Sequence, residues 1–306
     1  MIKYILQRVL FMVPAALLVA TLTFSMFHLV PGDPATLVAG DKASYEALQA
    51  VRRRYGFDKP IYIQYFKYIN RLVHGDLGRS LFNRSPVGSL LLPKFFNTFK
   101  LVGLSMAVAI SISMILGPLA AYYYGSSFDR ILMLFSMLGI STPVFVLGLG
   151  GLLLFSVKLD LLPVGGMDAW PSYILPTMSL GVYQSAHLIR MVRNCVADVM
   201  ASDYIRTAKA KGLSETMTLY KHGMKNAMLP IITIIGLQFG YLLAGAIVAE
   251  TVFTWPGLGR LLMESIGRRD LPVTQGALML GVIVFISINL IVDILYTAID
   301  PTIKYD

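Results

Sequence analysis

Long uncharged apolar runs alternate with shorter polar segments along this chain. Val9–Val30, Leu101–Tyr124, Ile131–Val157, Asn226–Ala249 and Leu271–Val292 contain no Asp, Glu, Lys or Arg. Each reaches the length of about 20 residues that a membrane-crossing helix requires. Tyr173–Ile189 is shorter and holds Gln184 and His187. It continues past Arg190, whose aliphatic stem can carry the charge to an interface. The pattern predicts an all-α polytopic membrane protein with six transmembrane helices, which places both termini on one side. The first run is too long for the apolar stretch of a signal peptide, about 7–15 residues, so it reads as a retained first helix.

The polar segment between the first two runs has helical periodicity of its own. Ser44 precedes Tyr45, Leu48, Val51 and Tyr55, and Gly56 stops the run. Pro60 opens a second run with Ile61, Tyr65, Ile69 and Leu72 on one face, stopped by Gly75. A helix-start residue before an apolar-periodic run and a glycine after it mark helix boundaries. The organisation predicted is therefore residues 1–30 for the N-terminus and first span, 31–97 for a small helical cap, and 98–306 for the remaining spans. There is no tandem repeat and no low-complexity tract.

Composition agrees with a bilayer as solvent. Hydrophobic residues make up 56% of the 306 and charged residues 14%; mean hydropathy is +0.67. Soluble domains carry about 25% charged residues. The formal charge of +9 does not imply nucleic acid, which needs a soluble domain with a basic face. Membrane proteins concentrate Lys and Arg in short cytoplasmic loops. Here Arg190, Arg193, Arg206, Lys209, Lys211, Lys221 and Lys225 share one segment, whereas 158–172 holds only Lys158. Loop 251–270, with Arg260, Arg268 and Arg269, carries fewer as well. Residues 190–225 and both termini are thus expected in the cytoplasm, with 31–97 and 251–270 outside. The long segment 31–100 is also basic, but long loops cross largely regardless of charge. Cys195 is the only cysteine, so no internal disulfide or cysteine-based metal cluster can form.

Within the cytoplasmic segment, Asp203–Lys211 is a good helix former and Gly212 ends it at the position where positive φ is common. Ser214 then caps a second helix, with Glu215 in its first turn and Lys221 and Lys225 late, as the helix dipole favours. Tyr204-Ile205-Arg206-Thr207-Ala208-Lys209-Ala210-Lys211-Gly212, followed by Lys221-His222 and Asn226-Ala227-Met228-Leu229-Pro230, resembles the cytoplasmic "EAA loop" of ABC importer permeases. Glu250-Thr251-Val252-Phe253-Thr254-Trp255-Pro256-Gly257-Leu258-Gly259-Arg260 is similar to the hallmark of the dipeptide, oligopeptide and nickel branch of that family. Pro31-Gly32-Asp33-Pro34, His74-Gly75-Asp76-Leu77-Gly78, Asn289, Asp293 and Asp300-Pro301 extend the resemblance from end to end. One departure stands out. Arg206, Thr207 and Ala208 occupy the places of Glu-Ala-Ala, which argues for the peptide/nickel branch and against an acidic contact from the first place.

The resemblance implies the first permease subunit of a bacterial inner-membrane importer for peptides, whether dipeptide, oligopeptide or glutathione-like. It implies a second homologous permease, two cytoplasmic ATPase subunits and an external solute-binding protein as partners, with no cofactor. It places the ATPase-coupling element in loop 197–228, at Tyr204, Arg206, Thr207, Ala208, Lys209, Ala210 and Gly212. A basic face held to anionic lipid is the bland reading of those residues. It also implies a gate element at Trp255, Pro256 and Gly257, against the bland reading of a turn held by an interfacial tryptophan. Gln184, His187 and Gln238 either line a hydrated path or bond helix to helix. Asp293, near the last span's end, reads as a structural partner of a cytoplasmic cation, and His28 as interfacial. No glycine is followed by lysine, so the phosphate-binding loop of an ATPase is missing. A transporter working alone would show repeats and ionisable groups deep in the spans. A membrane-embedded hydrolase would need a catalytic pair there. The chain shows no clear internal repeat and no clear ionisable residue deep in a span.

Overall fold

The computed structural model describes residues 2–29, 33–39 and 43–299, and among them the regular structure is helical. In chain order the helices are α1 (Ile2–Leu29), α2 (Pro34–Ala39), α3 (Tyr45–Tyr55), α4 (Ile61–Val73), α5 (Val87–Tyr122), α6 (Ser127–Ser141) and α7 (Val144–Gly151). They continue with α8 (Ile174–Met200), α9 (Asp203–Ala210), α10 (Glu215–Met217), α11 (Met224–Val252), α12 (Leu258–Gly267) and α13 (Leu271–Ile299). A π-helical turn extends α7 over Leu152–Lys158, and another joins α10 to α11 over Thr218–Gly223.

Local chemistry explains the boundaries. α3 begins where Ser44 Oγ accepts the Ala47 N–H and ends at Gly56, with φ 74°. α4 begins after Pro60 and ends just before His74. Both short helices lie where the periodicity puts them. α8 runs without a break through Arg190 to Met200.

The apolar run Ile131–Val157 is not one helix. It breaks at Thr142-Pro143, and the two halves bend by 95°. Pro143 has no N–H to donate, and its ring drives the preceding residue out of the α region; Thr142 is extended, at φ −89°, ψ 117°. Three helical stretches are long and apolar enough to cross a membrane, Val87–Tyr122, Glu215–Val252 and Leu271–Val292, and the bent pair makes up to four among the described residues. Met12–Met26 of α1 is apolar but shorter.

The chain divides into two compact units. One comprises residues 98–256 and the stretch from Ser287. Its core joins Leu101, Val102 and Met106 of α5 to Leu175, Leu180 and Leu188 of α8 and to Leu242, Ala246 and Ala249 of α11. The other comprises residues 2–97 and 257–286. There α1 packs Ala20 and Phe24 against Tyr68 of α4. Thr21 and Tyr65 share a hydroxyl hydrogen bond of 2.7 Å. Val87 and Leu91 pack on Val273 and Ala277, while Asp270 accepts hydrogen bonds from the Ser80 hydroxyl and, at 3.0 Å, the Leu81 N–H.

Candidate functional site

The first candidate element is α9. Ile205, 1% exposed, anchors its inner face. The Asn226 side-chain amide donates to the Tyr204 hydroxyl at 2.8 Å, tying the helix to the start of α11. Ala208 is half-buried, and Arg206, Thr207, Lys209, Ala210 and Lys211 are exposed. The helix ends in a Schellman turn. The Gly212 N–H donates to Lys209 O at 3.0 Å and the Leu213 N–H to Ala208 O at 3.4 Å. Gly212 sits at φ +80°, where a Cβ would meet no atom within 4 Å. The glycine is required by backbone conformation alone. Ser214 then caps α10 by accepting the Met217 N–H at 3.3 Å. Of the basic residues, Lys209 forms an exposed ion pair with Glu215 at 3.5 Å, and Arg206 approaches Asp203 at 3.8 Å.

Immediately upstream of α9 the structure shows a contact that the sequence pattern did not reveal. Arg193 of α8 donates to both carboxylate oxygens of Asp129, at 3.1 and 2.6 Å. Asp129 Oδ2 also accepts the Gly125 N–H at 2.9 Å. The guanidinium lies 4.1 Å from the centre of the Tyr124 ring. The side chains of Asp129 and Arg193 are 3% and 16% exposed. In the sequence Arg193 counted only as one more cytoplasmic cation. The available signal was Asp129 in the first turn of a helix capped by Ser126.

The second candidate is a cleft of about 410 Å³ between α8 and α11, closed on one side by Val144 at the start of α7. Leu180, Tyr183, Gln184 and His187 line it from α8; Gln238, Tyr241, Leu242 and Gly245 line it from α11. On each helix the spacing is i, i+3, i+4, i+7, which is one face. The structure thus brings Gln184 and Gln238 to one cavity. Gln184 is 3% exposed, and its Nε2 has no hydrogen-bond partner. An unsatisfied buried donor costs about 1–3 kcal/mol.

Trp255, Pro256 and Gly257 do not line this cleft. The Trp255 indole is fully buried, not held at a surface. Its ring meets Tyr173 edge to face, with centroids 4.8 Å apart. Thr254, at φ 48°, and the bond from the Trp255 N–H to Glu250 O at 2.8 Å turn the chain inward. The Phe253 carbonyl accepts the Gly166 N–H at 3.0 Å. A Cβ on Gly165 would overlap that carbonyl. Glu250 is itself buried and accepts the Thr98 hydroxyl. Gly257 is extended and precedes α12. Asn289 is half-buried on α13. The Asp293 side chain, Pro31, Gly32, Asp300 and Pro301 lie outside the described residues. The His28 ring lies 4.4 Å from the Phe24 ring, tilted by 41°.

Comparison with known proteins adds the following. Residues 87–305 match the family described as binding-protein-dependent transport system inner membrane component. Residues 1–102 match the N-terminal region of such membrane components. The glutathione transport system permease proteins GsiC of Salmonella paratyphi A and Escherichia coli K12 are each 45% identical over 305 residues, covering 100% of both chains. In fold, the chain is similar to a subunit of the inward-facing MetNI methionine ABC transporter, with TM-score 0.60 at 18% identity over 69% of this chain and 96% of that one. It is also similar to a subunit of an amino acid ABC transporter, with TM-score 0.56 at 15% identity over 69% and 94%.

Proposed function

This chain belongs to the binding-protein-dependent transport inner membrane components and is the permease subunit of an ABC importer; from that premise we propose that it carries short peptides inward, driven through α9 by separate ATPases. Cargo of the glutathione class is favoured by the full-length similarity to glutathione permeases. The chain pairs with a second, homologous permease. Two cytoplasmic ATPase subunits and an external solute-binding protein complete the importer. Six spans cross the bacterial inner membrane: α1, α5, the bent pair of α6 and α7, α8, α11 and α13. Residues 31–97 form an external helical cap, 98–306 the permease core, and both termini lie in the cytoplasm, as the short-loop charge bias requires.

The observation that carries the coupling role is the geometry of α9. It is a short helix fixed on its inner face by Ile205 and Tyr204, with Arg206, Thr207, Lys209 and Ala210 facing outward and a glycine-specific turn behind it. Lipid attraction alone would need only the charges. A helix anchored to spans on both sides moves with them, so a partner that grips it can rock the bundle as a rigid body. The path for cargo runs beside the Gln184–Gln238 cleft, and the buried turn at Trp255, Pro256 and Gly257 supports a gate. Polar groups avoid lipid, so this face meets the sibling permease or the path.

The test is Gly212→Val. The site is open, so the cost is the positive φ alone, about 1–3 kcal/mol for a residue without glycine's freedom. At 1.4 kcal/mol per tenfold, ATPase association falls about tenfold or more. Insertion and sibling pairing stay normal, and uptake is lost. ATPase co-purification and uptake at parental levels would return α9 to a lipid-facing surface.

A further inference from the structure

We propose that the α8–α11 cleft is an amide-recognition site, in which Gln184 and Gln238 bond the peptide links of an uncharged segment of the cargo. This rests on the permease reading above and names what its pathway selects. Three observations carry it. The cleft, at about 410 Å³, is in the size range of small-molecule sites, about 300–1,000 Å³. Its polar groups are Tyr183, Gln184, His187, Gln238 and Tyr241, and no Asp, Glu, Lys or Arg lines it among the described residues. Gln184 is nine-tenths buried and more, and its Nε2 is unpartnered.

A side-chain amide carries both a donor and an acceptor, the complement of a peptide bond. Two such amides one cleft apart can bond successive links of an extended chain. A site without charges cannot hold a terminal carboxylate or ammonium by ion pairing. It instead reads what every peptide has, whatever its side chains. The Gln184 Nε2 has no partner within the chain, so a cargo carbonyl that bonds the amide relieves its desolvation penalty. The oxygens of the two side-chain amides accept from cargo N–H groups while their nitrogens donate to cargo carbonyls, so an analogue that lacks one N–H leaves an amide oxygen unpaired and is rejected.

The intact importer in lipid nanodiscs, without nucleotide, is the right sample. The probe is N-acetyl-trialanine methylamide bearing a photoreactive diazirine, compared with its depsipeptide, in which an ester oxygen replaces the central N–H. Labelling sites are mapped by mass spectrometry. We expect label on 183–187 and 238–245. The half-saturating concentration should rise at least tenfold for the depsipeptide and for Gln184→Met and Gln238→Leu. Gln184→Met should unfold at or above the parental temperature, since it deletes a donor that bonds nothing within the chain. Equal labelling of parent and Gln184→Met, or label elsewhere, overturns the proposal. So does a lowered unfolding temperature in Gln184→Met, which would make the amide structural. Probe-independent crosslinking of Gln184→Cys to the sibling chain also overturns it, by identifying the sibling as the amide's partner. The permease reading is separable: ATP-driven uptake with the parental chain would stand while the cleft stayed unlabelled.

Discussion

Breaking the Asp129–Arg193 pair is the sharpest perturbation of the proposed coupling route. The pair joins the first turn of α6 to the last turns of α8, ahead of α9. Its side chains are 3% and 16% exposed, so solvent screens it little. Removing one partner of a fully buried pair costs about 3–5 kcal/mol, because the other charge is left stranded. Arg193 keeps some solvent and the Tyr124 face, a contact worth about 0.5–2 kcal/mol. The expected loss for Asp129→Asn is therefore about 1–4 kcal/mol. A double-mutant cycle with Arg193→Met isolates the pair itself, and its interaction energy should exceed about 1.5 kcal/mol. Lys209–Glu215, exposed and at 3.5 Å, is the internal control and should give less than about 0.5 kcal/mol. Both cycles are read from chemical unfolding in mild detergent. In the assembled importer Asp129→Asn should lower uptake per ATP hydrolysed, since α8 and α9 would move without carrying α6 with them. Equal interaction energies for the two pairs would refute the burial argument, and unchanged uptake per ATP would refute the mechanical one.

Two further outcomes are expected. In a Trp170→Phe background Trp255 is the only indole, because the chain has two, and it should resist acrylamide quenching; adding Gly165→Ala should force the Phe253 carbonyl away, cost about 1–3 kcal/mol as overpacking does, and expose the indole to quencher. In a Cys195→Ser background an impermeant thiol reagent applied to intact cells should label Ser44→Cys and Ser85→Cys but not Ser214→Cys, and the reverse pattern would overturn the orientation.

What the sequence made legible was local. Ser44, Gly56, Ser214 and Gly212 each act within one turn of their own position, so the ends of α3, α9 and α10 could be read from spacing alone. The break at Thr142-Pro143 was local too, yet counting uncharged residues passed over it, because composition does not register a missing N–H. Tertiary convergence is different in kind. Asp129 and Arg193 lie 64 residues apart, and nothing near either one names the other. The faces bearing Gln184 and Gln238 could each be drawn from helical spacing, but their meeting across one cleft depends on how α8 and α11 pack. For Trp255 the composition of the turn suggested a surface anchor, whereas the positive φ of Thr254 sends the indole inward. The residues of the proposed coupling and selection are of both kinds, Gly212 local and Asp129 and Gln184 convergent. Gly212 sets where α9 ends, Asp129 holds the helix that feeds it, and Gln184 carries the unspent donor. In the proposed mechanism the three supply a grip, a rigid link, and a group whose bonding changes when cargo arrives.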